Sequence, residues 1–160
     1  MKTGDLNRIA RQKAIAAIEE HFATLRLGQS SHQEHVYTED EVRSYSQRYD
    51  IPYPGPYISP EGELLVPPGM LFLRPAATFG ITAPDAPPQA RLGIYTQAHR
   101  QYFKPARVGH KVLFDGEIID IYEQRGFYYL AVRWQAHEED GTVLAKGEEW
   151  HTLGFVRKEA

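Results

Sequence analysis

From Arg91 onward the apolar pattern has a period of two, and this constrains the fold more than any other feature. In "FYYLAVRWQAH", residues 127–137, Tyr128, Leu130, Val132, Trp134 and Ala136 alternate with Phe127, Tyr129, Ala131, Arg133 and Gln135. Successive side chains of a strand point to opposite faces, so the alternation gives one face to a core and one to solvent. "EQRG" precedes this strand and "EEDG" follows it, with Gly126 and Gly141 where hairpin turns often need positive φ. "HKVLFDGEIIDIY", "FYYLAVRWQAH" and "TVLAKGEEWHTLGF" therefore read as an antiparallel meander. "RLGIYTQAHRQYF" supplies a further long strand before the turn "KPARVG". A curved sheet with one apolar face needs a helix to cover it.

The first half of the chain offers helices. Asp5 can cap one running to about Leu27, in which Ile15, Ile18, Phe22 and Leu25 make one apolar face. Arg8, Arg11, Lys13, Glu19 and Glu20 leave the rest solvated, so this helix covers a core or a dimer edge. A loop, "GQSSHQEHVY", leads to Thr38 and Glu41, the spacing of a capping box. Val42, Tyr45 and Tyr49 then line one face of a short helix, which Asp50 closes because Ile51 precedes Pro52. "VPPGMLFLRPAATFG" reads as a third helix, entered through Pro67 and Pro68 and kinked or ended at Pro75, with Leu71, Phe72 and Phe79 in the core. The class is α+β.

At 160 residues the chain is the size of one domain. A net charge of −3 without a basic stripe argues against nucleic acid, and no apolar run approaches a membrane span. "MKTGDLNRIARQK" lacks the apolar segment of a signal peptide, so a cytoplasmic protein is expected. Without cysteine there is neither disulfide nor thiolate chemistry. His32 and His35 lack the HExxH spacing of a zinc helix, and a polar loop accounts for them without a metal. His110 falls in a solvated turn. Alternation puts Glu149 and His151 on one face of the last strand, beside Glu148, and a solvated face is the simplest account of them.

"YFKPARVGHKVLFDGEIIDIYEQRGFYYLAVRWQAHEEDGTVLAKG" resembles the carboxy-terminal half of the MaoC-like hot-dog dehydratases. In that family an aromatic strand runs into a Pro–Val–Gly–Asp turn and then into two long hairpins. Pro105, Val108 and Gly109 match, while His110 replaces the Asp. "YTEDEVRSYSQRYD" resembles the family's first helix and "LVPPGMLFL" the start of its central helix. The likeness covers residues 36–156; residues 1–28 form an additional amino-terminal helix outside it. The resemblance implies a sheet wrapped around a central helix and pairing with a second hot-dog, as a homodimer or as a heterodimer with a catalytic hot-dog subunit. It implies acyl thioesters of coenzyme A or acyl carrier protein as ligands, and reversible hydration of enoyl thioesters as chemistry, with no cofactor.

That chemistry needs a carboxylate and an imidazole to move the protons of one water, and amides at a helix start to hold the thioester oxygen. In active relatives the first need is met just after the first helix by Asp, any residue, Asn, Pro, any residue, His. Here "YDIPYPGPYI" occupies that place: Asp50 can stand for the Asp, but no His follows. "PPG" replaces the His-Gly pair at the central helix, leaving Gly69 and Met70 as first free amides. The resemblance thus points to Asp50 and His99 as catalytic candidates. It gives Tyr49, Tyr53, Tyr57, Pro68, Gly69, Met70 and Phe72 as substrate-binding ones. Each has a plainer reading: Asp50 as a helix-end residue, His99 as a cross-strand surface pair, the tyrosines as packing. The departures match the non-catalytic, channel-shaping hot-dog of paired dehydratases, for which the lone chain hydrates poorly. A non-enzymatic thioester scaffold and a hot-dog thioesterase are the alternatives; the absence of an acid between Pro67 and Thr82 counts against the last.

Overall fold

Five antiparallel strands form one curved sheet in the order β1-β3-β4-β5-β2, in a computed structural model that describes residues 16–72 and 93–153 together with Lys13 and Phe79. The strands are β1 (Ser30–Val36), β2 (Gly93–Tyr102), β3 (Lys111–Gln124), β4 (Phe127–His137) and β5 (Val143–Leu153). Helix α1 covers residues 16–24, α2 Glu39–Arg48 and α3 Pro68–Phe72. The α+β hot-dog architecture and an amino-terminal helix are therefore present. Asp5, the proposed start of α1, and Pro75, the proposed kink of α3, lie outside the described residues.

The meander follows from its turns. Arg125 and Gly126 both adopt positive φ between β3 and β4, as a two-residue hairpin turn requires. Gly141 does so between β4 and β5. These turns fix the register, and the alternating residues of β4 then fall as the sequence predicts. Leu130, Val132, Trp134 and Ala136 are buried, while Arg133 is exposed. Each large apolar side chain buried on this face contributes about 1.5–3 kcal/mol, so the central strand anchors the sheet.

The inner face is covered by α3 and by α1. Leu71 is fully buried, and Phe72 packs against Trp134 with ring centroids 5.8 Å apart. Phe22 of α1 lies against Tyr128 at 4.4 Å, and Gly28 donates its amide to the Ile118 carbonyl. Helix α2 starts at the capping box foreseen in the sequence, with Thr38 and Glu41 bonded reciprocally. It buries Val42 and half-buries Tyr45, whereas Tyr49 is exposed.

One element overturns the reading of the sequence. Residues 30–36, expected as a loop, are edge strand β1, paired with β3 from Ser30↔Glu117 to Val36↔Lys111. "SSHQEHV" has no apolar alternation to announce a strand. The ladder with β3 and cross-strand pairs make it one: His32 Nδ1 lies 2.7 Å from the Asp115 carboxylate, and Lys111 pairs with Glu34 at 3.4 Å. A short polar edge also resists pairing with other chains.

Candidate functional site

The segment after α2 is compact and tied to its own surroundings. Asp50 takes a positive φ of 53° at the helix end, and Ile51 returns its amide to the Ser46 carbonyl. Tyr53 donates its hydroxyl to Glu39 at 2.7 Å, and the Arg43 guanidinium stands 4.7 Å above its ring. Glu39 accordingly pushes the Tyr53 phenol up. Tyr57 hydrogen-bonds to Pro54 and Leu65 through its backbone, opening a small turn that returns to Leu65. Tyr49 leans on Tyr45 at 4.7 Å. The stretch brings acids, aromatic rings and a cation together but no imidazole.

At the entrance to α3 the Tyr45 hydroxyl sits where a side chain on Gly69 would be, so only glycine fits there while Tyr45 keeps its place. Burial, then the neighbouring tyrosines Tyr49 and Tyr57, push the Tyr45 phenol up. The Met70 amide donates to the Pro67 carbonyl at 2.9 Å, and its carbonyl accepts from Tyr37 at 3.1 Å. Pro68 and Gly69 form the first turn of the helix, and Phe72 lies at its far end, on the sheet.

His99 stands on the outer face of the sheet. It is exposed, hydrogen-bonded to Gln97 at 2.7 Å, and set edge-on against Trp150. Among the described residues no hydrogen bond or ion pair joins it to Asp50. It borders a groove of about 910 Å³ that crosses all five strands and also includes His32, Asp115, Arg133, Lys146 and Glu148. Acids and bases in that groove satisfy one another, as in Arg133–Glu148 at 2.9 Å and His32–Asp115 at 2.7 Å.

The inner face holds the arrangement that sequence reasoning misplaced. Glu149 and His151, expected on a solvated face, are 0% and 1% exposed. The register explains it: Glu149 lies opposite Val132 and His151 opposite Leu130, both core positions of β4. The "EEDG" hairpin carries this signal, because it places the inner face of β4 against Ala145, Gly147, Glu149 and His151. Arg100 of β2 donates its Nε to Glu149 at 2.8 Å, and Glu149 Oε2 is 3.4 Å from His151 Nε2. The Tyr95 ring stacks at a tilt on His151, centroids 4.4 Å apart. The Arg100 guanidinium covers both Phe72, at 4.9 Å, and Tyr95, at 5.1 Å. Burial, reinforced by the Glu149 charge, pushes the Tyr95 phenol up to about 12, so it remains a hydrogen-bond donor at neutral pH.

A register shift in β2 assembles this cluster. Tyr95 pairs with His151 and Gln97 with Trp150, leaving Thr96 as an extra residue. Five positions separate Tyr95 from Arg100, which in a regular strand would put them on opposite faces; the bulge brings both inward.

No family model matches the sequence, and no curated protein matches it. Solved structures do match in fold. A MaoC-like dehydratase from Rhodospirillum rubrum is 12% identical, with 86% of this chain and 97% of that one covered, at a TM-score of 0.58. A 3R-hydroxyacyl-ACP dehydratase complex, HadBC, from Mycobacterium tuberculosis is 12% identical, with coverage of 79% and 96%, at 0.60. The fluoroacetyl-CoA thioesterase FlK is 17% identical, with coverage of 81% and 89%, at 0.55. At these identities the likeness establishes the hot-dog fold seen in MaoC-like dehydratases.

Proposed function

We propose that the protein binds acyl thioesters, of coenzyme A or of acyl carrier protein, and takes part in hydration of enoyl thioesters or dehydration of 3-hydroxyacyl thioesters. The observation that carries this reading is a fold match over about four-fifths of the chain to proteins that work on thioesters, a hydroxyacyl-ACP dehydratase complex and a CoA thioesterase among them. The segment after α2 supports a wall of the acyl site: it offers Tyr49, Tyr53 and Tyr57 but no imidazole. The site is completed by a second hot-dog. Strand β2 is an edge of the sheet, and Tyr102 and Phe103 on and beside it are exposed, which suits pairing with a second copy or a related subunit. Among the described residues no helix is long and apolar enough to cross a membrane.

Calorimetric titration with saturated acyl-CoAs of increasing length tests the reading. Binding that strengthens with chain length and then levels off is expected, because each buried methylene contributes about 0.8 kcal/mol until the channel is full. Indifference to every acyl-CoA and to an acylated carrier protein would refute it. Light scattering checks assembly: a particle of only 18.3 kDa at micromolar concentration contradicts the paired hot-dog.

A further inference from the structure

We propose that Glu149 and His151 on β5 are the proton-transfer pair acting on the bound thioester, with Arg100 as their positioning residue. This rests on the thioester reading above and replaces the weak turnover expected from the loop after α2 alone.

Burial without satisfaction is the first ground. Among the described residues, Glu149 Oε2 and both ring nitrogens of His151 are buried without a hydrogen-bond partner, and so is Nε1 of Trp134 on the same face. Buried polar groups are almost always paired, and each exception costs about 1–3 kcal/mol. Apolar residues would fit here, since Leu130 and Val132 occupy the partner positions on β4 without cost. A carboxylate and an imidazole held opposite them lower stability, and buried ionisable groups of this kind cluster at functional sites.

Geometry is the second ground. Arg100 engages Oε1 of Glu149, which leaves Oε2 facing His151 Nε2 at 3.4 Å. Tyr95 stacks on His151 and Arg100 bonds Glu149, and both contacting residues are part-exposed, so we place the ligand's approach past them. The clusters on the outer face lack these properties: His32, Asp115 and His137 bond one another.

The step balances with one water. Oε2 of Glu149 takes a proton as the water oxygen bonds to C3 of the enoyl thioester. The C2–C3 π electrons move toward the thioester carbonyl as an enolate. The proton passes from Glu149 to Nε2 of His151 and on to C2, so the enolate collapses to the 3-hydroxyacyl thioester and both side chains return to their starting states. The same carboxylate could direct water at the thioester carbonyl, so hydrolysis is measured alongside.

Full-length protein is given crotonyl-CoA, with loss of enoyl absorbance reporting hydration and thiol release reporting hydrolysis. Turnover by the wild type in one of these assays is expected. Glu149→Gln and His151→Gln should each lower it by about 100-fold or more, with butanoyl-CoA affinity changed by less than about threefold. Arg100→Lys, at a part-exposed position where folding survives, should lower kcat while KM stays put. That split is what loss of positioning, and not of packing, produces. Wild-type protein that binds butanoyl-CoA yet turns over neither way overturns the assignment. So does full activity in Glu149→Gln, or activity abolished by Asp50→Asn and kept by Glu149→Gln. Failure to bind butanoyl-CoA at all would instead defeat the thioester reading itself.

Discussion

Two regions carry acids and aromatic rings at the two ends of α3, and they handle them in opposite ways. After α2, Asp50 lies at an exposed helix end, and Tyr53 is locked to Glu39 and Arg43 at the surface. On β5 and β2, Glu149 and His151 are withdrawn from water, and Tyr95 and Arg100 close over them. In the first region every strong polar contact is local and screened by solvent, so it is worth little and demands little. In the second the charges sit in low dielectric, where each partner matters and each unmet hydrogen bond costs. A site is more readily recognised by what it costs the fold than by the presence of reactive residue types.

Breaking the inner cluster should give the largest effect on stability. Arg100→Met leaves the Glu149 carboxylate buried without its cation and should cost about 2–4 kcal/mol, toward the low end because Arg100 is itself part-exposed. Adding Glu149→Gln should recover part of that loss, and denaturant titration of the two variants reads the coupling. Strict additivity would mean that the two side chains do not act as a pair.

At the joint between the two regions, Gly69→Ala drives a methyl group into the Tyr45 hydroxyl and should cost about 1–3 kcal/mol. The same change in a Tyr45→Phe background should cost clearly less. Equal losses in both backgrounds would show that the glycine is needed for another reason.

Part of this was legible in the sequence and part was not, for identifiable reasons. The hairpins were legible because their turns demand glycine at positive φ, as at Gly126 and Gly141. Helix α2 was legible because Thr38 and Glu41 state its start chemically. Strand β1 was hidden, since a polar edge strand owes its form to its neighbour and carries no apolar period. The inner cluster was hidden twice over. Charged residue types argue for solvent, and only the register across the β4–β5 hairpin places Glu149 and His151 inside. The bulge at Thr96, which moves Tyr95 to the face of Arg100, leaves no mark in the alternation of the strand.

The outer face offers a smaller effect with a defined pH signature. Hydrogen bonding from His32, reinforced by His137, holds Asp115 below its ordinary value of 3.8 despite partial burial. Burial pulls His137 down, but its bonds to the Glu138 carbonyl and to Asp115 outweigh this and raise it above 6.5. The histidine contribution is therefore complete below its unfolded pKa of about 6.5 and fades as pH rises through the higher folded value. The aspartate contribution is complete above about 3.9 and fades as pH falls through its lowered folded value. Stability from this pair should peak between about pH 4 and 6.5, by no more than about 1 kcal/mol for so exposed a carboxylate. Asp115→Asn should flatten that feature in a pH series of melting temperatures and leave turnover at the inner face untouched.

Least of all, Tyr53→Phe should leave the melting temperature where it is, because its hydroxyl bonds an exposed carboxylate. A marked fall would show that the segment after α2 bears on stability as the inner cluster does.

The seven histidines allow the most direct test of the inner pair. With imidazole carbons isotopically labelled, their ring resonances can be followed by NMR as butanoyl-CoA, which cannot react, is added; His151→Gln assigns the buried signal. A shift or broadening of the His151 resonance that saturates with the ligand is the predicted result. Saturable binding that leaves His151 unmoved while His32, His99 or His137 on the outer face respond would contradict the account.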